Sequence, residues 1–138
     1  KFLDKELGRI EGIRPLRREP YMTRISWHGY GFRYEQGAFG GVPRDRFLQA
    51  LNAEGVRAYG GYSHALYENP LFKERRFGRI AEFVKFPDYG SVRCPNSERL
   101  CREHVILDHA MLLGTSEDMR DIVNAVEKIR ENAEELRA

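Results

Sequence analysis

The stretch from Thr115 to Ile129 obliges this chain to bury one face of a helix. Met119, Ile122, Val123, Val126 and Ile129 recur at steps of three and four residues, the spacing that gathers side chains on one side of an α-helix. Thr115 followed by Asp118 has the [ST]-x-x-[DE] form of a capping box, so the spacing predicts a helix that starts there and runs about twenty residues. Its opposite face mixes Glu, Lys, Arg and Asn evenly. That face suits water, and the apolar stripe therefore calls for a protein core and not a bilayer surface.

Shorter segments upstream supply that core. HVILDHAMLL is the most apolar run in the chain, and Val105 to Leu107 within it reads as a short buried strand. Tyr, Met, Thr, Ile, Trp and Phe dominate Tyr21 to Tyr34, between Pro20 and Gln36-Gly37, which predicts one long strand or a bent pair. Gly29 and Gly31 share a face of such a strand and mark a bend, a bulge or the close approach of another chain. Pro43 suits a first helical turn, Phe47, Leu48 and Leu51 form the stripe of that helix, and Gly55 takes the position after its end, before a strand from Val56 to Tyr59. Pro95 opens another helix with Leu100 as its main apolar contact. Lys1 to Leu7 reads as the tail of a helix ended by Gly8 or Glu11-Gly12, followed by a short extended piece from Ile13 to Leu16. The sum is an α+β or α/β sandwich in which a few strands are covered by at least three helices. At 138 residues and 41% hydrophobic composition this is expected to be one domain, 1–138, with a real core. The chain opens without Met inside a helical pattern, which predicts a fragment of a longer protein. Phe2, Leu3, Leu7 and Ile10 would then form an apolar face short of its cover.

Chemistry concentrates between Gly55 and Phe72, where Tyr59, Tyr62, His64 and Tyr67 crowd between glycines and Pro70. Such a run can approach a ligand closely and offer it hydrogen bonds, although tyrosine-rich loops also pack against cores with only their hydroxyls wet. His28 lies at the irregular Gly29/Gly31 point, as a satisfied structural group or as a catalytic one. Arg14, Arg17 and Arg18 form one basic cluster and Lys73 to Arg79 another, each readable as an anion contact or as a solvated face. GAFGG lacks the lysine of a phosphate-cradling loop. Cys94 and Cys101 form no CxxC, and no metal site is read from them or from His104 and His109. With 23 basic and 21 acidic side chains the net charge is +2, which gives no general pull toward nucleic acid. No apolar run approaches the roughly 20 residues that span a bilayer, and KFLDKELGRI lacks the apolar core of a signal peptide. The chain thus reads as soluble and cytoplasmic, with reduced thiols.

Four segments in order carry a family resemblance: GIRPLRREPYMTRISWHGYGFRYE, PRDRFLQALNAEGVRAYGGY, ALYENPLF, and CPNSERLCREHVILDHAMLLGTSEDMRDIVNAVEKI. Together they resemble the C-terminal region of the DegT/StrS family of pyridoxal-phosphate-dependent sugar aminotransferases, over nearly the whole chain. The resemblance implies the small C-terminal domain of a type I aminotransferase, with a short mixed or antiparallel sheet covered by helices and a long C-terminal helix. It implies a homodimer that moves an amino group from glutamate or glutamine to a keto sugar or keto-cyclitol. GGYSHALYENPLF leans toward the branch that aminates cyclitols such as scyllo-inosose. On this reading Tyr62, His64 and Tyr67, with His28 beside them, bind substrate hydroxyls.

Transamination also needs a lysine that holds the cofactor and moves the proton, an acid beside the pyridinium nitrogen and a phosphate cradle. In the family these lie in the large N-terminal domain, upstream of the matched region. The lysines here are Lys1, Lys5, Lys73, Lys85 and Lys128, and none stands in the family's serine-preceded motif. The chain alone is therefore expected to carry no catalytic residue, to bind no cofactor and to be inactive. The competing reading is a free-standing α+β ligand-binding or regulatory module. A nucleic-acid-binding domain built on the arginine clusters lacks an interleaved aromatic platform.

Overall fold

The computed structural model describes residues 1–137. The described residues form two compact units, one of residues 1–61 and 103–137, the other of Tyr62–Arg102.

The first unit is a four-stranded sheet with helices packed on it. Its elements are α1 (Phe2–Leu7), β1 (Ile13–Pro15), β2 (Gly29–Tyr34), α2 (Arg44–Ala53), β3 (Ala58–Gly60), β4 (His104–Asp108) and α5 (Ser116–Glu131); α3 and α4 belong to the region between β3 and β4. The strand order is β1-β2-β4-β3 and every neighbouring pair is antiparallel. Tyr30 pairs with Leu107 and Phe32 with Val105, while Ala58 meets Leu107 from the other side. Side chains alternate along a strand, so Tyr30, Phe32, Tyr34, Val105 and Leu107 all enter the core. Leu3, Leu7, Phe47, Leu51, Ile122, Val126 and Ile129 meet them there. The long final helix is as the residue spacing predicts, and the α+β class with a short antiparallel sheet is as the family resemblance implies.

The face of α1 is covered, not left open. Leu3, Leu7 and Ile10 are buried, α1 packs on α5, and the Arg120 guanidinium lies 5.3 Å from the Phe2 ring centroid. Gly12 takes the left-handed turn (φ 87°) that follows α1, whereas Gly8 stays right-handed (φ −66°). Tyr34 is the centre of an aromatic group, with the Phe47 ring 4.3 Å and the Phe39 ring 4.8 Å from its own. Its hydroxyl donates to the Val42 carbonyl at 2.8 Å, and burial pushes the phenol's pKa up.

The long strand expected over Tyr21 to Tyr34 is shorter, because only Gly29–Tyr34 finds a partner. Gly29 pairs with Asp108, the last residue of β4, and the chain turns into a 3-10 helix at His109, so residues before Gly29 have no ladder to join. Tyr21 is 77% exposed there and Met22 42%. The final helix spans 16 residues and continues as a 3-10 turn over Ala133–Arg137.

Thr115 caps α5 as its spacing requires. Its hydroxyl accepts from the Asp118 N–H at 3.2 Å, and the Asp118 carboxylate accepts from the Thr115 N–H and hydroxyl. These bonds hold the Asp118 carboxyl below its usual pKa. A carboxyl depressed in the folded state stabilises above its unfolded pKa of about 4 and loses that contribution as pH falls through the lowered value. Thr115→Ala is expected to cost about 1 kcal/mol in urea unfolding at neutral pH, with a smaller difference from the parent at pH 2 to 3.

The second unit holds α3 (Pro70–Lys73), α4 (Pro95–Glu103, whose last residue belongs to the first unit) and 3-10 turns at Leu66–Glu68 and Gly78–Glu82. Ala65 is its only fully buried hydrophobic side chain. What packs instead is a ring cluster, with Phe77 4.3 Å from Phe86 and 5.5 Å from Phe72, and Phe72 5.3 Å from Tyr89.

Candidate functional site

Local capping shapes the loop that carries the tyrosines. The Glu68 carboxylate accepts from the Ala65 N–H at 2.9 Å and closes the Leu66–Glu68 turn. Asn69 then caps α3 by accepting from the Leu71 N–H at 2.9 Å, and Pro70, with no N–H to leave unpaired, opens that helix. ALYENP is thus a turn, a cap and a start in succession. It holds Tyr62 to Tyr67 beside α4.

Two cavities flank this loop. The larger, about 530 Å³, is lined by Tyr62, Ser63, His64, Leu66, Leu100 and Cys101 among others. It is mainly apolar, and among its polar groups the Ser63 hydroxyl and His64 Nδ1 lie 2.8 Å apart. The smaller, about 310 Å³, is charged and lined by Tyr67, Glu68, Lys73, Tyr89, Arg93 and Glu98. The Tyr67 hydroxyl donates to Glu98 Oε1, and the Cys94 N–H donates to the same oxygen at 3.0 Å. That bond raises the Tyr67 pKa, with burial adding to it, and lowers the pKa of Glu98, with the Cys94 N–H adding to that.

The sequence-predicted residues therefore divide. Tyr62 and His64 share the apolar cavity, and Tyr67 lines the charged one. His28 belongs to the first unit and lines neither; it stacks on His109 across the end of β2 and β4, ring centroids 6.2 Å apart, with Asp108 3.6 Å from His109. Glu98 was not singled out from the sequence. Its only signal was an acid in the first turn of a helix opened by proline.

The glycine pair of β2 makes room for side chains of its neighbour strand in the same chain, not for the approach of another chain. Gly29 and Gly31 face β4, where a Cβ on Gly29 would lie 2.6 Å from Ile106 Cγ2 and one on Gly31 would overlap the His104 ring. His104 Nε2 is buried with no hydrogen-bond partner. Burial, helped by the Arg44 guanidinium, lowers the His104 pKa and keeps the ring neutral. Arg14, Arg17 and Arg18 are paired with Glu35, Glu19 and Asp4 at 3.3, 2.9 and 2.6 Å, so this cluster is a set of ion pairs and not an open cradle. Cys94 and Cys101 are in no disulfide. No group of three or more His, Cys, Asp or Glu able to hold a metal occurs among the described residues, and no helix among them is long and apolar enough to cross a membrane.

This arrangement of sheet and helices is the architecture of a part of known aminotransferase-type enzymes. The chain superposes on the crystal structure of 3-amino-5-hydroxybenzoic acid synthase with a TM-score of 0.71 at 20% identity, over 94% of this chain and 32% of that one. Residues 1–127 match the DegT/DnrJ/EryC1/StrS aminotransferase family, and the chain belongs to it. It is 35% identical over 132 residues to an L-glutamine:2-deoxy-scyllo-inosose aminotransferase of Streptoalloteichus tenebrarius, covering 93% of this chain and 31% of the relative. The namesake enzyme of Micromonospora echinospora is 32% identical over 138 residues, covering 99% and 32%. The chain thus spans about a third of the length of these relatives.

Proposed function

We propose that this chain is the substrate-closing and dimer-contact part of a pyridoxal-phosphate-dependent aminotransferase that transfers an amino group from glutamine or glutamate to a keto-cyclitol or keto sugar. The observation that carries the reading is the loop cavity, where Tyr62, Ser63 and His64 set hydrogen-bonding groups beside apolar side chains. A cyclitol matches such a surface, since its ring presents C–H faces and a rim of hydroxyls. The names of the relatives point to the same substrate class. Tyr67 contributes from the neighbouring charged cavity. His28 has a weaker claim, as a contact from the end of β2.

The residues present do not fit the cofactor. Lys128 is held by both oxygens of Glu54 at 2.8 and 2.9 Å, and Lys73 lines a cavity with two carboxylates, Glu68 and Glu98. The backbone N–H at the start of α4, where a phosphate would gain most, already binds Glu98. The covalent lysine and the phosphate cradle belong, on this reading, to a large domain that precedes the matched region. The whole enzyme would be a homodimer working in a reducing compartment such as the cytoplasm, where Cys94 and Cys101 stay as thiols.

In the enzyme that contains this chain, His64→Ala and Tyr67→Phe are each expected to raise KM for the keto substrate about tenfold, the effect of one lost hydrogen bond to a ligand, with kcat changed less. Steady-state kinetics with the keto substrate varied at saturating glutamine checks this. Unchanged kcat and KM in both variants would contradict the placement.

A further inference from the structure

Glu98 makes the link in the second unit that local sequence does not account for. It joins the tyrosine loop to the start of α4, because Tyr67 O–H and Cys94 N–H, far apart in sequence, donate to the same carboxylate oxygen. A phenol has one proton. Once that proton is committed to Glu98, the Tyr67 oxygen can only accept. Glu98 Oε2 takes neither bond and is a further acceptor, and Glu68, whose Oε2 closes the Ala65 turn, adds a second carboxylate. On the donor side, Arg93 Nη1 is bound to the Gly90 and Val92 carbonyls at 2.9 and 2.6 Å, and Lys73 supplies an ammonium. Arg93 Nε and Nη2 remain as donors beside Lys73, so the cavity of about 310 Å³ has a donor side at Arg93 and Lys73 and an acceptor side at Tyr67, Glu98 and Glu68.

We propose that Glu98 is a positioning and specificity-determining residue: it fixes the Tyr67 phenol as an acceptor, so that the Tyr67–Glu98 side of the charged cavity takes the donor-bearing part of a ligand, an ammonium flanked by hydroxyls in preference to an anion. This deepens the reading that the loop faces a polyol and rests on it. Glu98→Ala would free the Tyr67 proton and let the phenol donate. Glu98→Gln keeps the size and an acceptor oxygen but removes the charge that favours an ammonium.

The test uses the whole chain with ring-labelled tyrosine, following by NMR the signals of Tyr67 and of Tyr89, which lines the same cavity and is kept in every variant, in three titrations, with scyllo-inositol, with its 1-amino-1-deoxy derivative and with inorganic phosphate. The amino-polyol is expected to bind most tightly and phosphate least. Glu98→Gln and Tyr67→Phe should each weaken the amino-polyol about fivefold, and the double variant should be no weaker than the worse single one, because the two residues act as a unit. In Glu98→Gln the Tyr67 ionisation should also move down toward that of an ordinary phenol, while amide signals of the first unit stay in place. Saturable binding that Glu98→Gln leaves unchanged overturns the role of Glu98 and spares the polyol reading. Absence of saturable binding by either polyol, with the Tyr67 ionisation still shifted in the variant, overturns both. Tightest binding by phosphate overturns the proposed selectivity.

Discussion

Phe47→Ala is expected to destabilise the first unit by about 3 to 5 kcal/mol, the cost of removing a large ring from a packed core. Phe47 is fully buried. Its ring stacks on Tyr34 at 4.3 Å and meets Phe39 edge-on at 5.3 Å, so one truncation opens a void beside two other aromatic rings. The position also joins levels of the fold. Phe47 is on α2, Tyr34 ends β2, and the Tyr34 hydroxyl holds the Val42 carbonyl just before α2 begins. Losing the ring therefore loosens the helix, the strand end and the connection between them together. Urea unfolding followed by circular dichroism should show an earlier midpoint with little change in slope. Against a typical total stability of about 5 to 15 kcal/mol, such a loss can leave a marginally folded protein. A midpoint within error of the parent would contradict the packing described.

Phe77→Ala is expected to have the second largest effect and to confine it to the second unit. That unit has about 40 residues, a size at which a single core is barely sufficient. With Ala65 its only fully buried hydrophobic side chain, most of its packing is the cluster in which Phe77 touches Phe72, Phe86 and Tyr89. Each such pair contributes about 0.5 to 1.5 kcal/mol beyond area burial, so loss of the shared ring should cost about 2 kcal/mol locally. Hydrogen exchange is the discriminating readout. Amides of α3 and of the Gly78–Glu82 turn should exchange faster by a factor of about 30, while those of β2, β4 and α5 keep their protection. Uniform acceleration across both units would mean that they unfold as one and would contradict the expectation.

Much of the first unit could be read from residue spacing, because there the deciding interactions are local. The Thr115 cap, the stripe of α5 and the turn at Gly55, which adopts φ 84°, are each specified within a few residues. Val105 to Leu107 needed only their own apolar character to be placed as a buried strand. The stretch before Gly29 shows the limit. Its strand-like composition is real, but a strand lasts only as long as its partner, and β4 ends at Asp108. His104 shows another: nothing near it in sequence says that its ring lies against Gly31 and Gly61. In the loop, the tyrosines and His64 were visible as candidate ligands of a polyol. Their division between two cavities was not, since it depends on Tyr67 meeting Glu98, a contact between distant parts of the chain.

The central claim is that this chain presents a surface to the substrate and leaves the covalent chemistry to residues outside it. The most direct measurement is to incubate the chain with pyridoxal phosphate, glutamine and 2-deoxy-scyllo-inosose, assay amination, treat a parallel sample with borohydride and map the product by mass spectrometry. The account predicts no amination and no single lysine among Lys1, Lys5, Lys73, Lys85 and Lys128 that carries the reduced cofactor in stoichiometric amount. Turnover together with stoichiometric labelling at one of those lysines would contradict it.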